Sequence, residues 1–90
     1  MPEINENARN NIIEHLNRVL AIDDVMTFQK LLLSYARSRD ELTRIAEQVG
    51  VRRETIWRYE TGAATAPFEV LVKIIAVIGA KLVIIPDEAS

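Results

Sequence analysis

"LTRIAEQVGVRRETIWRYET", Leu42 to Thr61, is the stretch on which the fold of this 90-residue chain turns. Ile45, Val49, Val51, Ile56 and Tyr59 stand at spacings that bring them together when two short helices cross steeply around a tight turn. Ala46 is small where those helices approach most closely. Gly50 stands where the turn needs a positive φ, which glycine adopts without steric cost. These are the requirements of a helix-turn-helix, whose second helix is held out from the body to enter a DNA major groove. The complete set of small, glycine and apolar positions is a more specific signal than a lone Ala–Gly spacing.

The reading predicts a supporting helix over Glu41–Val49, with Asp40 as its N-cap, and a recognition helix over Arg52–Glu60 that ends before Gly62. With Ile56 and Tyr59 facing inward, the recognition helix presents Arg52, Arg53, Glu54, Trp57, Arg58 and Thr61 outward. Arginine near the start of such a helix can form bidentate bonds to guanine O6 and N7. Arg53 is therefore the candidate for base reading, and Arg52 and Arg58 are candidates for phosphates or bases. Thr43 and Arg44 open the supporting helix, whose amino end lies against the DNA backbone in this architecture, so both are phosphate-contact candidates. A solvated helix surface with no ligand is the plain alternative.

Charge sharpens that choice. The chain carries a net −2, which argues against non-specific nucleic-acid binding through phosphate neutralisation alone. Recognition needs only a local field, however. Residues 52–58 hold three arginines against Glu54, a local charge of +2. The acidic residues lie mostly elsewhere, near both termini and at Asp23-Asp24.

Outward from the central unit the pattern stays helical. Ile12, Ile13, Leu16, Val19 and Leu20 mark an apolar face on a helix from about Asn5 to Ala21, which Asp23-Asp24 then breaks. A second helix, about Asp24 to Arg37, carries Phe28, Leu31, Leu32 and Tyr35 as its inward stripe. After the small-residue loop "TGAATAP", Pro67 is placed for the first turn of a fifth helix. Phe68, Leu71, Val72, Ile75, Ala76 and Ile78 form that helix's predicted buried side, and Gly79 ends it. "KLVIIP", closed by Pro86, reads as a short strand over about Lys81–Ile85.

The fold class expected is thus mainly α: five helices and one short C-terminal β-strand in a single domain spanning 1–90. Within it, 1–39 hold the N-terminal helices, 40–79 the helix-turn-helix and following helix, and 80–86 the strand. A lone strand leaves its backbone groups unpaired. A second copy of the chain is the most economical partner, which makes Leu82, Val83, Ile84 and Ile85 the candidate interface of a homodimer. The alternative is an extended tail packed on the chain's own helices.

Composition excludes several other classes. An apolar fraction of 49% with 27% charged residues belongs to a globular chain. No cysteine is present and His15 is the only histidine, so disulfides, thiolate zinc sites and a clustered metal or catalytic centre are not expected. No phosphate-cradling glycine loop or nucleophile motif occurs. Neither enzyme activity nor a cofactor is implied. The apolar runs fall short of the roughly 20 residues that span a bilayer. The opening residues, with Glu3, Glu6 and several asparagines, do not read as a secretory signal. A soluble, cytoplasmic protein with no membrane partner is the expectation.

"IAEQVGVRRETIWRYETG" resembles the Xre-type helix-turn-helix pattern shared by phage repressors and many antitoxins. The longer run through "PFEVLVKIIAVIGAKLVIIP" looks most like HigA-type antitoxins, the addiction-module antidote proteins, with the similarity covering about Asp40 to Ile85. The resemblance implies a lambda-repressor-like domain that binds double-stranded operator DNA in the major groove. It also implies a RelE-like ribonuclease toxin as protein partner, and repression of the promoter that the two proteins share. Two positions depart from the pattern. Repressors of this type often carry glutamine where this chain has Glu54, and a small polar residue where it has Trp57. A carboxylate either accepts from cytosine N4 or orients Arg53 or Arg58. The indole either contacts a thymine methyl or sugar, or folds back over the helix pair. A stand-alone phage or chromosomal regulator, and an interaction module that has lost DNA binding, are the competing readings. The first two helices, which the motif does not require, are the candidate contact for a toxin.

Overall fold

The computed structural model describes residues 6–84 together with Pro86. Five helices follow one another: α1 (Glu6–Ala21), α2 (Val25–Ser38), α3 (Leu42–Val49), α4 (Arg53–Thr61) and α5 (Phe68–Val77). The architecture is mainly α, and no strand occurs among the described residues. α2 is the central element, packing against all four others, while α3 bridges α4 and α5. One apolar cluster joins them, with Leu32, Leu33, Ile45, Ile56, Ile74 and Ile78 almost wholly removed from solvent.

Turn chemistry sets the helix limits. Asp23 adopts φ 61° and Asp24 caps α2, its carboxylate accepting from the Thr27 amide at 3.1 Å. Hydrogen bonding from Thr27, through its side chain first and its amide second, holds the Asp24 carboxyl below its ordinary value, more than the nearby Lys30 does. The expected N-cap at Asp40 is corrected. Asp40 instead takes φ 59° to close α2, and the next amide, Glu41 N, reaches back to Ala36 O at 2.9 Å. The left-handed turn that permits this return is one that aspartate tolerates better than most side chains. α3 then begins after Glu41 without a side-chain cap. Pro67 likewise precedes α5 as its N-cap residue, one position before its first turn.

Two apolar stripes are rotated from their sequence reading. On α2, Phe28 and Leu32 are buried as expected, but Leu31 and Tyr35 are only half-buried, and Gln29, Leu33 and Ala36 complete the inner face. α2 is enclosed on several sides, so its buried arc is wider than one stripe. On α5, Leu71, Ile75 and Ile78 are buried alongside Val70 and Ile74. Phe68, Val72 and Ala76 face solvent. That helix is apolar almost all round, so periodicity alone does not choose its inner face.

The predicted strand is the other correction. Lys81–Ile84 form no ladder, because a single chain offers no second backbone to pair with. The tail begins by folding back: Ala80 N donates to Ile75 O at 3.0 Å, and Leu82 lines a cavity of about 40 Å³ with Ile13, Leu16, Leu20, Phe28 and Ile78. Beyond it Val83 is exposed and Ile84 is 99% exposed. Ile85, the last residue of the expected interface, lies outside the described residues.

Candidate nucleic-acid interface

The two-helix unit forms as its small and apolar residues require. Ile45 and Ile56 are buried between α3 and α4, with Ala46 and Tyr59 beside them and Val49 and Val51 packed at the margin. Gly50 takes φ 83°, and its amide and that of Val51 both donate to Ala46 O, at 2.8 and 3.0 Å. A Cβ built on Gly50 meets nothing within 4 Å. The glycine is therefore required by its backbone conformation and not by crowding.

Contacts far apart in sequence hold α4 in place. The Gln29 side chain on α2, fully buried, donates to Tyr59 O at 2.7 Å and Ala64 O at 2.9 Å, and accepts from Ala66 N at 2.8 Å. It thereby satisfies three backbone groups at the end of α4 and in the loop after it. Arg37, also on α2, grips Glu60 with a two-pronged ion pair, its Nε donating to Glu60 Oε2 at 2.7 Å. The hydrogen bond to Glu60, with the pair's charge attraction behind it, raises the Arg37 pKa. Sequence reading passed over both anchors. The available signal was Gln29, a polar residue one turn before Leu32 and Leu33 on an otherwise apolar face.

The outward face carries the residues expected on it. Arg52, Arg53, Glu54, Trp57, Arg58 and Thr61 are all exposed, as are Thr43 and Arg44 on α3. Thr43 and Arg53 come together, the guanidinium donating to Thr43 Oγ1 at 2.6 Å. Glu54 lies 3.6 Å from Arg52, the N-cap residue of α4, and pairs with neither Arg53 nor Arg58 among the described residues. Trp57 is 55% exposed, which opposes the reading in which the indole folds back over the helix pair. Thr61 turns its hydroxyl onto its own helix, donating to Arg58 O at 3.3 Å. Arg44 borders a hollow between α3 and α5 with Gln48 and Lys73. Neither α3 nor α4 has a side-chain cap at its amino end. Thr55 N already donates to Arg52 O at 3.0 Å, so on α4 the amides of Arg53 and Glu54 are the ones left to an external acceptor, a role that water or a phosphate oxygen can fill.

Elsewhere little chemistry is gathered. His15 sits exposed on α1, and no group of three or more histidine, aspartate or glutamate side chains among the described residues is arranged to hold a metal ion. No described helix is long and apolar enough to cross a membrane.

No curated protein and no solved structure matches this chain. A family model does, described as "probable addiction module antidote protein", over residues 4–86. The match runs from the start of α1 through the tail, so it takes in the N-terminal helices as well as the two-helix unit. By that extent, the chain belongs to the probable addiction module antidote protein family, which implies a cognate toxin as partner.

Proposed function

We propose that this chain is a sequence-specific DNA-binding repressor of the Xre, lambda-repressor-like type. It acts in the cytoplasm as the antitoxin of its module, neutralising a RelE-like ribonuclease and repressing the promoter they share. It is a binding protein and not an enzyme. The observation that carries the reading is the outer face of α4. Arg52, Arg53 and Arg58 are exposed there on a helix anchored from behind by Gln29 and by the Arg37–Glu60 pair. Arg53 is held against Thr43 at the junction of α3 and α4, which limits its freedom before any base is met. In this reading Arg53 reads a guanine edge and Arg52, Arg58 and Arg44 bind phosphate. Trp57 lies over a thymine methyl or sugar.

A homodimer completes the proposal. Two copies place two recognition helices on half-sites about one helical turn apart. The tail segment Leu82 to Ile85 pairs with its counterpart across the two-fold axis, which gives its backbone a hydrogen-bonding partner. The test is a gel-shift titration on the DNA upstream of the module. Arg53→Ala and Arg58→Ala are expected to weaken binding, and the parent's affinity is expected to fall steeply with salt as counterions are released. Unchanged affinity in both variants sinks the DNA-reading assignment and leaves an interaction module. Truncation after Gly79 is expected to lower the dimer mass in light scattering. A neighbouring reading frame for a small basic protein is the expected genomic context.

A further inference from the structure

Glu54 and Trp57 stand three residues apart on the outer face of α4. Helix geometry puts such a pair on successive turns of one face. A helical side chain leans toward the amino end of its helix, so the indole covers the turn that carries Glu54. The Glu54 carboxylate approaches Arg52 at 3.6 Å, but with the two side chains 72% and 87% exposed that pair adds little and is readily exchanged. Arg58, one turn further on, forms no ion pair with Glu54 among the described residues, and Arg53 is tied sideways to Thr43. A carboxylate on a face that meets phosphates costs affinity unless it accepts a hydrogen bond there.

We propose that Glu54 and Trp57 together read one base, a cytosine methylated at C5, so that the chain binds its operator more tightly when that cytosine is methylated. The major-groove edge of cytosine offers its N4 amine, a donor for which a carboxylate is the matching acceptor. C5 lies beside it on the same ring, and a methyl group there meets the apolar face of the indole. Thymine carries the methyl but sets its O4 acceptor against the carboxylate, which is repulsive. Adenine carries an amine, but the methyl of an A·T pair belongs to the thymine opposite, with O4 in between. Guanine presents two acceptors. Methylated cytosine therefore combines, side by side, the donor that suits Glu54 and the methyl that suits Trp57. The inference rests on the DNA-reading role proposed above and narrows the contact of Trp57 to a methyl on cytosine. Repression of the module would then respond to the methylation state of its promoter.

The experiment is a gel-shift titration of the full-length chain on three versions of the DNA upstream of the module. One is amplified with ordinary nucleotides, one with 5-methyl-dCTP in place of dCTP, and one with dUTP in place of dTTP. An unrelated duplex of equal length, with and without methylation, measures non-specific binding. The parent is expected to bind the methylated upstream DNA about fourfold more tightly than the ordinary probe, the gain from taking one methyl group out of water. The unrelated duplex is expected to show no such gain. Trp57→Ala is expected to bind the ordinary and methylated probes equally. Glu54→Ala is expected to lose the gain as well, and to narrow the preference for upstream over unrelated DNA, because it removes the N4 acceptor together with a charge that repels phosphate. Both positions are exposed, so both variants are expected to keep the parent's circular dichroism. A gain that survives Trp57→Ala overturns the proposal. A loss on the uracil probe that Trp57→Ala abolishes assigns the indole to thymine and overturns it too. If the parent prefers the upstream DNA but ignores methylation, this inference falls and the DNA-reading role stands. If the parent does not distinguish upstream from unrelated DNA, both fall.

Discussion

The two faces of α4 are built in opposite ways. Its inner face is tied down by Ile56 and Tyr59 in the core, by the Gln29 hydrogen bond to Tyr59 O and by the Arg37–Glu60 pair, while two more hydrogen bonds of Gln29 fix the loop that follows. Its outer face has one tie to another element, Arg53 to Thr43, and otherwise stands in solvent. Stability is concentrated on the first and chemistry on the second. A helix can then be placed to within a rotamer's width by groups that never touch a ligand, while the arginines stay hydrated and available until a charged partner displaces the water. Substitutions on the two faces should therefore be separable by what they disturb.

The largest effect is expected from Ile56→Ala, which opens a cavity between α3 and α4 and costs about 2–5 kcal/mol in urea unfolding. Gln29→Leu keeps the volume roughly constant but strips partners from Tyr59 O, Ala64 O and Ala66 N. A loss of roughly 2–3 kcal/mol is expected, with weaker DNA binding following from a loosened α4. Equal stability in that variant would show that water replaces the amide, and that the inner face depends on apolar packing alone. On the outer face, Arg53→Ala is expected to leave the melting temperature unchanged while removing about 1–3 kcal/mol of base discrimination, read as relaxed preference at one operator position. A drop in melting temperature would break the division between the faces.

Smaller effects test the turns that join the faces to the rest. Gly50→Ala is expected to cost about 1–2 kcal/mol from backbone strain alone, since the space around it is open. The Asp24 cap gives the smallest and most pH-specific signal. Its folded pKa is lowered, so its contribution is complete above the ordinary value of 3.8 and is lost as pH falls below that through the folded value. Asp24→Asn is expected to flatten that acid limb of the stability profile, and an unchanged limb would assign it to other carboxylates.

Much of the architecture was legible before any coordinates. Gly50, the Ala46 contact, the punctuation at Asp23-Asp24 and the outward run from Arg52 to Thr61 follow from local sterics and helical period. These act over a few residues and leave their mark in spacing. The α2 and α5 stripes were rotated because both helices are apolar over more than half their circumference. Which arc is buried then depends on neighbours supplied by other parts of the chain. Asp40 was misassigned for a related reason: a short acceptor before a helix suits an N-cap and a left-handed turn equally. The return of Glu41 N to Ala36 decided between them.

What the sequence by itself determined is therefore the set of five helices, the two-helix unit with its glycine turn, and the identity of the residues on its outer face. Each rests on interactions within one turn or one hairpin of helices. Only the tertiary structure decided how α4 is held, because Gln29 lies 30 residues from Tyr59 and 37 from Ala66, and Arg37 lies 23 from Glu60. No local pattern encodes such pairings, which exist only once the chain has folded back on α2. The same holds for the outward Phe68 and Val72 of α5 and for Val83 and Ile84 in the tail. Their hydrophobicity is plain in the sequence, but that they are left uncovered is a property of the packed molecule.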